Sequence, residues 1–223
     1  MRRARNGIFV TIEGIEGCGK STQARMLKRH LEKKGMNVLL TKEPGGTKIG
    51  NQIRKILLDK RNKKIVPYTE LFLYAASRAQ HVEEVIIPSL AEDKIVVCDR
   101  FSDATTAYQG YGRGLSKQMV SNINSLSTNR LVPDLTIILD LPEKVGLKRA
   151  KNRNKKMGIS QGEGRMEEES LSFHRRVRKG YLRIWKDNPQ RVKIIDACKG
   201  IKEINEKICD EVDRLIKRRS KGF

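Results

Sequence analysis

Gly14, Gly19, Lys20 and Ser21 stand in the spacing G-x-x-x-x-G-K-[ST] within 14-GIEGCGKS-21. The chemistry such a stretch can do is to hold a polyphosphate. Its glycines let successive backbone N–H groups turn toward one anion, and the helix that follows adds the partial positive charge of its N-terminus. The lysine reaches the β- and γ-phosphates, and the serine hydroxyl can ligate Mg²⁺. The motif implies a bound nucleoside triphosphate and leaves the reaction open.

Other groups gain meaning from their places near strand ends. Asp99 and Arg100, in 97-VCDR-100, close an apolar run; they read either as a carboxylate for a metal's water shell with an anion-gripping guanidinium, or as a strand-end ion pair. Glu43 opens 43-EPGGT-47, where Pro-Gly-Gly forces a turn. An ordinary turn accounts for that stretch unless the glutamate faces a ligand. Tyr74 and Arg78 are four apart in a helical pattern, so they share a face on which a ring can stack on a base and a guanidinium can bond its edge. Phe72 lies on another face and is expected in the core. From Lys148 to Arg165 the chain is basic. Lys155 and Lys156 suit a solvated helix face, whereas Arg149, Arg153 and Arg165 could steady a phosphoryl group in flight.

These residues need a scaffold. Five runs rich in Val, Ile or Leu lie at 7–12, 37–41, 94–99, 134–141 and 192–196. Continuous apolar runs of this kind suit strands covered on both faces. Helical patterns cover 20–34, 48–59, 68–91, 116–128, 143–153, 167–186 and 201–218. The alternation predicts an α/β fold, a doubly wound five-stranded parallel sheet flanked by helices. The stretch 154-NKKMGISQGEG-164 breaks helical periodicity and is read as a surface loop, part of a lid at about 148–166.

The chain has 223 residues and a formal net charge of +21. The length suits one α/β domain spanning 1–223. The charge suggests polyanionic partners, but basic residues are spread along the chain and only 5% of residues are aromatic. A stacking surface for nucleic acid is therefore not expected, and the charge is read as a surface property. No apolar run nears the roughly 18 residues of a membrane span. The basic start leads straight into the glycine loop, so no cleaved signal peptide is expected. Cys18, Cys98, Cys198 and Cys209 form no CxxC pair, which fits reduced thiols in a cytoplasmic protein.

Taken in order, 12-IEGIEGCGKST-22, 43-EPGGT-47, 69-TELFLYAASRAQH-81, 98-CDRFSDATTAYQG-110, 133-PDLTIILDL-141 and 147-LKRA-150 resemble the thymidylate kinase family. The resemblance runs from about Phe9 to the last helix. It implies transfer of the γ-phosphoryl group of MgATP to dTMP by a cytoplasmic homodimer packed through helices that include part of 68–91. It implies that Gly14, Ile15, Glu16, Gly17, Cys18, Gly19, Lys20, Ser21 and Thr22 bind ATP, and that Ser21 and Asp99 serve Mg²⁺. Arg100 would hold the acceptor phosphate. Tyr74, where Phe is usual, would stack on thymine, and Arg78 would reach its O4 edge. Thr105 and Gln109 would contact base and sugar, Glu16 the 3′-hydroxyl or a metal water, and Glu43 the acceptor side. The family carries its catalytic arginine either in the glycine loop or in the lid. Gly17 occupies the loop position, so Arg149, Arg153 and Arg165 are the lid candidates, with Lys20 and Arg100 completing the catalytic set. An arginine placed at 17 is then expected to rescue partly the loss of a lid arginine. Departures are Ala104-Thr105 for a common Ser-Ser, and a long lid.

Other readings share the glycine loop. A related kinase acting on dUMP would differ only in its pocket lining, where one methyl group is worth ~1–3 kcal/mol. A nucleic-acid-dependent ATPase would need a water-positioning residue, and none is visible.

Overall fold

The computed structural model describes residues 7–156 and 164–220, without the side chains of 155 and 156. The core is a sheet of β1 (Ile8–Glu13), β2 (Val38–Lys42), β3 (Ile95–Asp99), β4 (Leu135–Asp140) and β5 (Val192–Asp196). All pairings are parallel, in the order β2-β3-β1-β4-β5. Each expected strand is present within a residue or two. In β1, Ile8, Val10 and Ile12 join one apolar cluster while Phe9 faces the other, and in β3 Val97 and Val96 divide the same way. This two-sided burial is why these strands read as unbroken apolar runs. Thr11 and Thr136 tolerate full burial because their hydroxyls bond each other at 2.8 Å.

The helices are α1 (Lys20–Lys33), α2 (Lys48–Leu58), α3 (Pro67–His81), α4 (Ile87–Ala91), α5 (Ser102–Thr105), α6 (Lys117–Ser127), α7 (Glu143–Lys156), α8 (Leu171–Asp187) and α9 (Ile201–Ser220). Their arrangement on both sides of the sheet confirms the doubly wound α/β expectation. The helix expected over 68–91 is interrupted. Residues Val82–Ile86 widen into a π turn between α3 and α4, with Ile87 N–H reaching back to Val82 O. Pro88 follows, and having no N–H it cannot continue an ordinary helical ladder.

Four expectations change. Residues 102–112, read only as a motif, are helical: α5 runs into a π segment, Thr106–Gly112. Its faces are nearly all covered, so it lacks the polar stripe that marks a surface helix. Tyr108 packs edge-on against Phe173 and Tyr181 of α8. The helix expected from 167 starts at Leu171, where Ser170 Oγ accepts from Phe173 N–H at 3.2 Å. Arg165–Glu168 form a separate 3₁₀ turn. At the loop expected over 154–164, α7 continues through Lys156, and 157–163 lie outside the described residues. Finally, Phe72 is 56% exposed rather than in the core.

Candidate active site

β1 lies between β3 and β4, so the chain's windings diverge there, and crevices form beyond the carboxyl ends of such strands. A cleft of about 570 Å³ opens at this edge. The turn after β1 supplies Glu16, Gly17, Gly19, Lys20, Ser21 and Thr22 to its lining. Gly14 lies against Leu139 O, and Ile15 and Cys18 are buried; these three are not among the lining residues. Lys20 Nζ donates to Ile15 O at 2.8 Å. Ser21 Oγ donates to the Asp99 carboxylate, which brings the two expected metal-serving groups together. Their hard oxygens suit Mg²⁺, which is bound by one or two protein oxygens plus phosphates and water. Among the described residues no group of three His, Cys, Asp or Glu side chains forms a metal cage.

Gly17 has φ +72°, and a Cβ there would lie 2.1 Å from Gly146 O. The loop and α7 therefore meet backbone to backbone. An arginine at 17 fits only if the loop or α7 shifts, which counts against the expectation that it could partly replace a lid arginine.

Arg100 leaves β3 with φ +73°, a left-handed conformation that costs a bulky residue roughly 1–2 kcal/mol. The neighbourhood enforces it. Arg100 N–H donates to Ile12 O at 3.1 Å, and Cys98 Sγ–H donates to Arg100 O at 2.9 Å. The next N–H, of Phe101, donates to Glu13 Oε1 at 2.7 Å. Glu13 Oε2 accepts from Tyr181 O–H at 2.8 Å. Burial, then the nearby Asp103 charge, push the Glu13 carboxyl up to about 8. Turned this way, the Arg100 guanidinium donates to Glu16 Oε1 at 2.9 Å and to Tyr108 Oη at 3.0 Å. Tyr108 O–H donates to the same Glu16 oxygen at 2.6 Å. Burial works to raise the Glu16 carboxyl, but His174, Arg100 and Lys20 outweigh it and hold it well below the usual carboxylate range.

Across the cleft stand Tyr74, Arg78, Thr105 and Gln109, all lining it. Arg78 is only 2% exposed. It donates to Glu43 Oε2 (2.8 Å), Asn124 Oδ1 (3.0 Å), Phe101 O (3.2 Å) and Thr105 Oγ1 (2.8 Å). These bonds use most of a guanidinium's five N–H donors, so its position is set before any ligand arrives. Glu43 also lines the cleft, but its carboxylate is taken by Arg78 and by His81 Nδ1 at 3.1 Å. It is brought to the site chiefly as the support of Arg78. Gln109 donates to Glu70 Oε1 at 2.8 Å.

The three lid arginines divide. Arg149 and Arg153 line the cleft. Arg165 is buried, donates from Nε to Leu57 O at 2.7 Å and lies 2.6 Å from Glu70 Oε2. The structure does not bring Arg165 among the lining residues; it anchors the turn before α8. Glu70, also held by Arg113, is the fully buried centre of that anchor. Sequence reasoning missed Glu13, Glu70, Tyr108 and His174. Tyr108 lay inside a quoted motif, but nothing in the linear pattern paired these side chains with their partners.

A glycine loop after the first strand, a carboxylate after the third and an opposed aromatic and arginine pocket define a P-loop nucleoside monophosphate kinase. The sequence model of the thymidylate kinase family matches residues 12–208. The thymidylate kinase of Geotalea uraniireducens is 53% identical over 198 residues, covering 88% of this chain and 92% of the relative. That of Desulfovibrio desulfuricans is 46% identical over 97% of this chain and all of the relative. The crystal structure of thymidylate kinase from Ehrlichia chaffeensis superposes with a TM-score of 0.73 at 33% identity, covering 93% of this chain and 98% of that one. The chain belongs to the thymidylate kinase family, ATP-dependent kinases that phosphorylate dTMP to dTDP.

Proposed function

We propose that the cleft binds ATP on the glycine-loop side and dTMP between Arg100 and Tyr74, and passes the γ-phosphoryl group between them. The observation that carries this is Arg100, held in a costly backbone conformation that aims its guanidinium into the cleft that Lys20 and Ser21 also line. A phosphate oxygen of dTMP forms the new bond to the γ-phosphorus as the bond to the ADP oxygen breaks. That phosphate has a second pKa near ~6, so it is largely a dianion at neutral pH and needs no general base. Catalysis is then positioning and charge neutralisation. Lys20 binds the β- and γ-phosphates, and Arg149 or Arg153 meets the charge that develops between donor and acceptor. Arg100 holds the acceptor in line, Tyr74 stacks on thymine, and Thr105, Gln109 and Glu16 face the nucleoside. Ser21 and Asp99 would hold Mg²⁺, which when bound neutralises charge on the phosphates.

The chain works as one kinase domain whose segment at about 148–166 is the lid. It acts as a homodimer: Tyr68 and Phe72 of α3 and Met119 and Leu126 of α6 are exposed apolar side chains on helices that pack together. The cytoplasm is its place of action, in keeping with four free thiols. No helix among the described residues is long and apolar enough to cross a membrane.

The test is ADP production from MgATP with dTMP, dUMP, dCMP, dGMP, CMP, UMP, AMP or no acceptor. A rate that depends on dTMP and exceeds the others is expected. Hydrolysis indifferent to every acceptor would overturn the reading.

A further inference from the structure

His174 is fully buried in the second turn of α8, and it is not among the residues lining the cleft. Its Nδ1 lies 3.3 Å from Glu16 Oε2. Neither ring nitrogen, nor Glu16 Oε2, has a hydrogen-bond partner among the described residues; the 3.3 Å approach of Nδ1 to Oε2 is an ion-pair distance that has not closed to hydrogen-bond geometry. Buried polar atoms are rarely left so, and here two of them, Nδ1 and Glu16 Oε2, face each other beside the acceptor-binding arginine. Glu16 is a carboxylate in this environment, and a carboxylate only accepts. A hydrogen on the facing Nδ1 is what would give that oxygen a donor. Glu16 Oε1 is already committed to Arg100 and Tyr108, so His174 is what the other oxygen has.

We propose that His174 is a positioning residue for the acceptor site: through Nδ1–H it fixes the Glu16 carboxylate and shares its charge, which leaves Arg100 free to turn from Glu16 to the acceptor phosphate. The two anions compete for one guanidinium. Without His174 the buried Glu16 carboxylate has only Arg100 and Tyr108, and it holds Arg100 harder. The role links α8, which follows the Arg165–Glu168 turn, to the glycine loop. It rests on the reading that Arg100 receives the acceptor.

The comparison is of wild type, His174→Phe, which keeps an aromatic ring and loses the donor, and His174→Asn, whose amide places a donor near the Nδ1 position. A hydrogen bond to a charged group is worth about a factor of ten or more. The KM for dTMP is expected to rise about tenfold in His174→Phe, with kcat and the KM for ATP within about twofold, and to return most of the way in His174→Asn. An unchanged dTMP KM in His174→Phe would overturn the proposal. So would an equal loss in all three constants that asparagine does not repair, which is what mere packing against Phe173 predicts. A second readout is independent of the acceptor: ¹⁵N chemical shifts of the histidine rings, with His174 assigned by its absence in His174→Asn. A protonated Nδ1 is expected, and a bare Nδ1 sinks the idea whatever the enzyme phosphorylates. Failure of wild type to use dTMP would instead fault the functional reading, with the ring shifts still deciding on His174.

Discussion

Glu13→Gln isolates the energetic cost of the carboxyl that holds the Arg100 turn. Glu13 is wholly buried at the end of β1, and burial followed by Asp103 raises its pKa from the ordinary 4.5 to about 8. Between those values the native protein holds a proton that the unfolded chain has released. Stability contributed by the neutral group is therefore complete below 4.5, declines as pH rises, and is gone above about 8. Each unit is worth about 1.4 kcal/mol, so the decline from pH 5 to 8 is about 4 kcal/mol. Glutamine keeps an acceptor for Phe101 N–H and a polar group facing Tyr181, whose hydroxyl can turn to accept, and it does not titrate. Urea unfolding of both proteins at each pH from 5 to 9 gives the difference directly, because the other titrating groups cancel. Wild type should lose about 4 kcal/mol relative to Glu13→Gln across that window. A difference flat with pH, or one in which wild type gains as pH rises, would refute the reasoning about burial at this site.

Gly17→Ala should lower the melting temperature and raise the KM for ATP. The left-handed backbone alone costs about 1–2 kcal/mol, before a Cβ meets Gly146 O at 2.1 Å; unchanged values of both would contradict the close approach of loop and α7. Arg165→Ala should destabilise by about 3 kcal/mol in chemical denaturation, because it strips one partner from the buried Glu70 carboxylate. Arg153→Ala, at a half-exposed side chain, should leave stability within about 0.5 kcal/mol and, if it is the arginine that meets the transferred group, cut kcat about a thousandfold. The opposite pattern would exchange their roles. On the proposed homodimer, Phe72→Asp should convert a dimer to a monomer in sedimentation; a wild type that is already monomeric would overturn the dimer, and a dimer that persists in the variant would move the interface off α3.

The sheet was legible because parallel strands covered on both sides must be apolar throughout, as 134-DLTIILDL-141 is. The glycine loop was legible because its chemistry is done by backbone, and backbone demands glycines in fixed places. The helix at 102–112 was not. It carries Thr, Tyr and Gly, weak helix formers, and forms because Tyr108 and its neighbours are packed by α8. Arg165 looked equivalent to Arg153, since nothing in the linear order shows that Glu70, ninety-odd residues earlier, lies beneath it. Gly17 looked like an open loop position for the same reason: the obstructing carbonyl belongs to Gly146. In each case the missing term was a long-range contact, which local pattern does not encode.

The cleft also locates the meaning of the chain's charge. Among its described lining residues are eight basic side chains (Lys20, Arg25, Lys42, Arg54, Arg78, Arg100, Arg149 and Arg153) and four acidic ones (Glu16, Glu43, Asp99 and Glu167). The excess is four positive charges. A nucleoside monophosphate brings about two negative charges, the triphosphate about four by the same chemistry, and a bound divalent cation returns two. The ligands of the proposed reaction thus carry close to the charge that the cleft lacks, and the chain's remaining excess over +4 lies outside it. Within the cleft the arginines that must aim are each paired with a buried carboxylate, Arg100 with Glu16 and Arg78 with Glu43. Arg149 and Arg153, the two candidates for meeting the transferred phosphoryl group in the proposed mechanism, are tied less firmly: Arg149 to a backbone carbonyl, and Arg153 to Asn154 and the partly exposed Glu167. On the proposed mechanism, charge supported by buried carboxylates therefore lies on the acceptor side, where Arg78 stays with Glu43 and Arg100 passes from Glu16 to the acceptor phosphate, and more loosely held charge lies where the phosphoryl group moves, a division suited to in-line transfer.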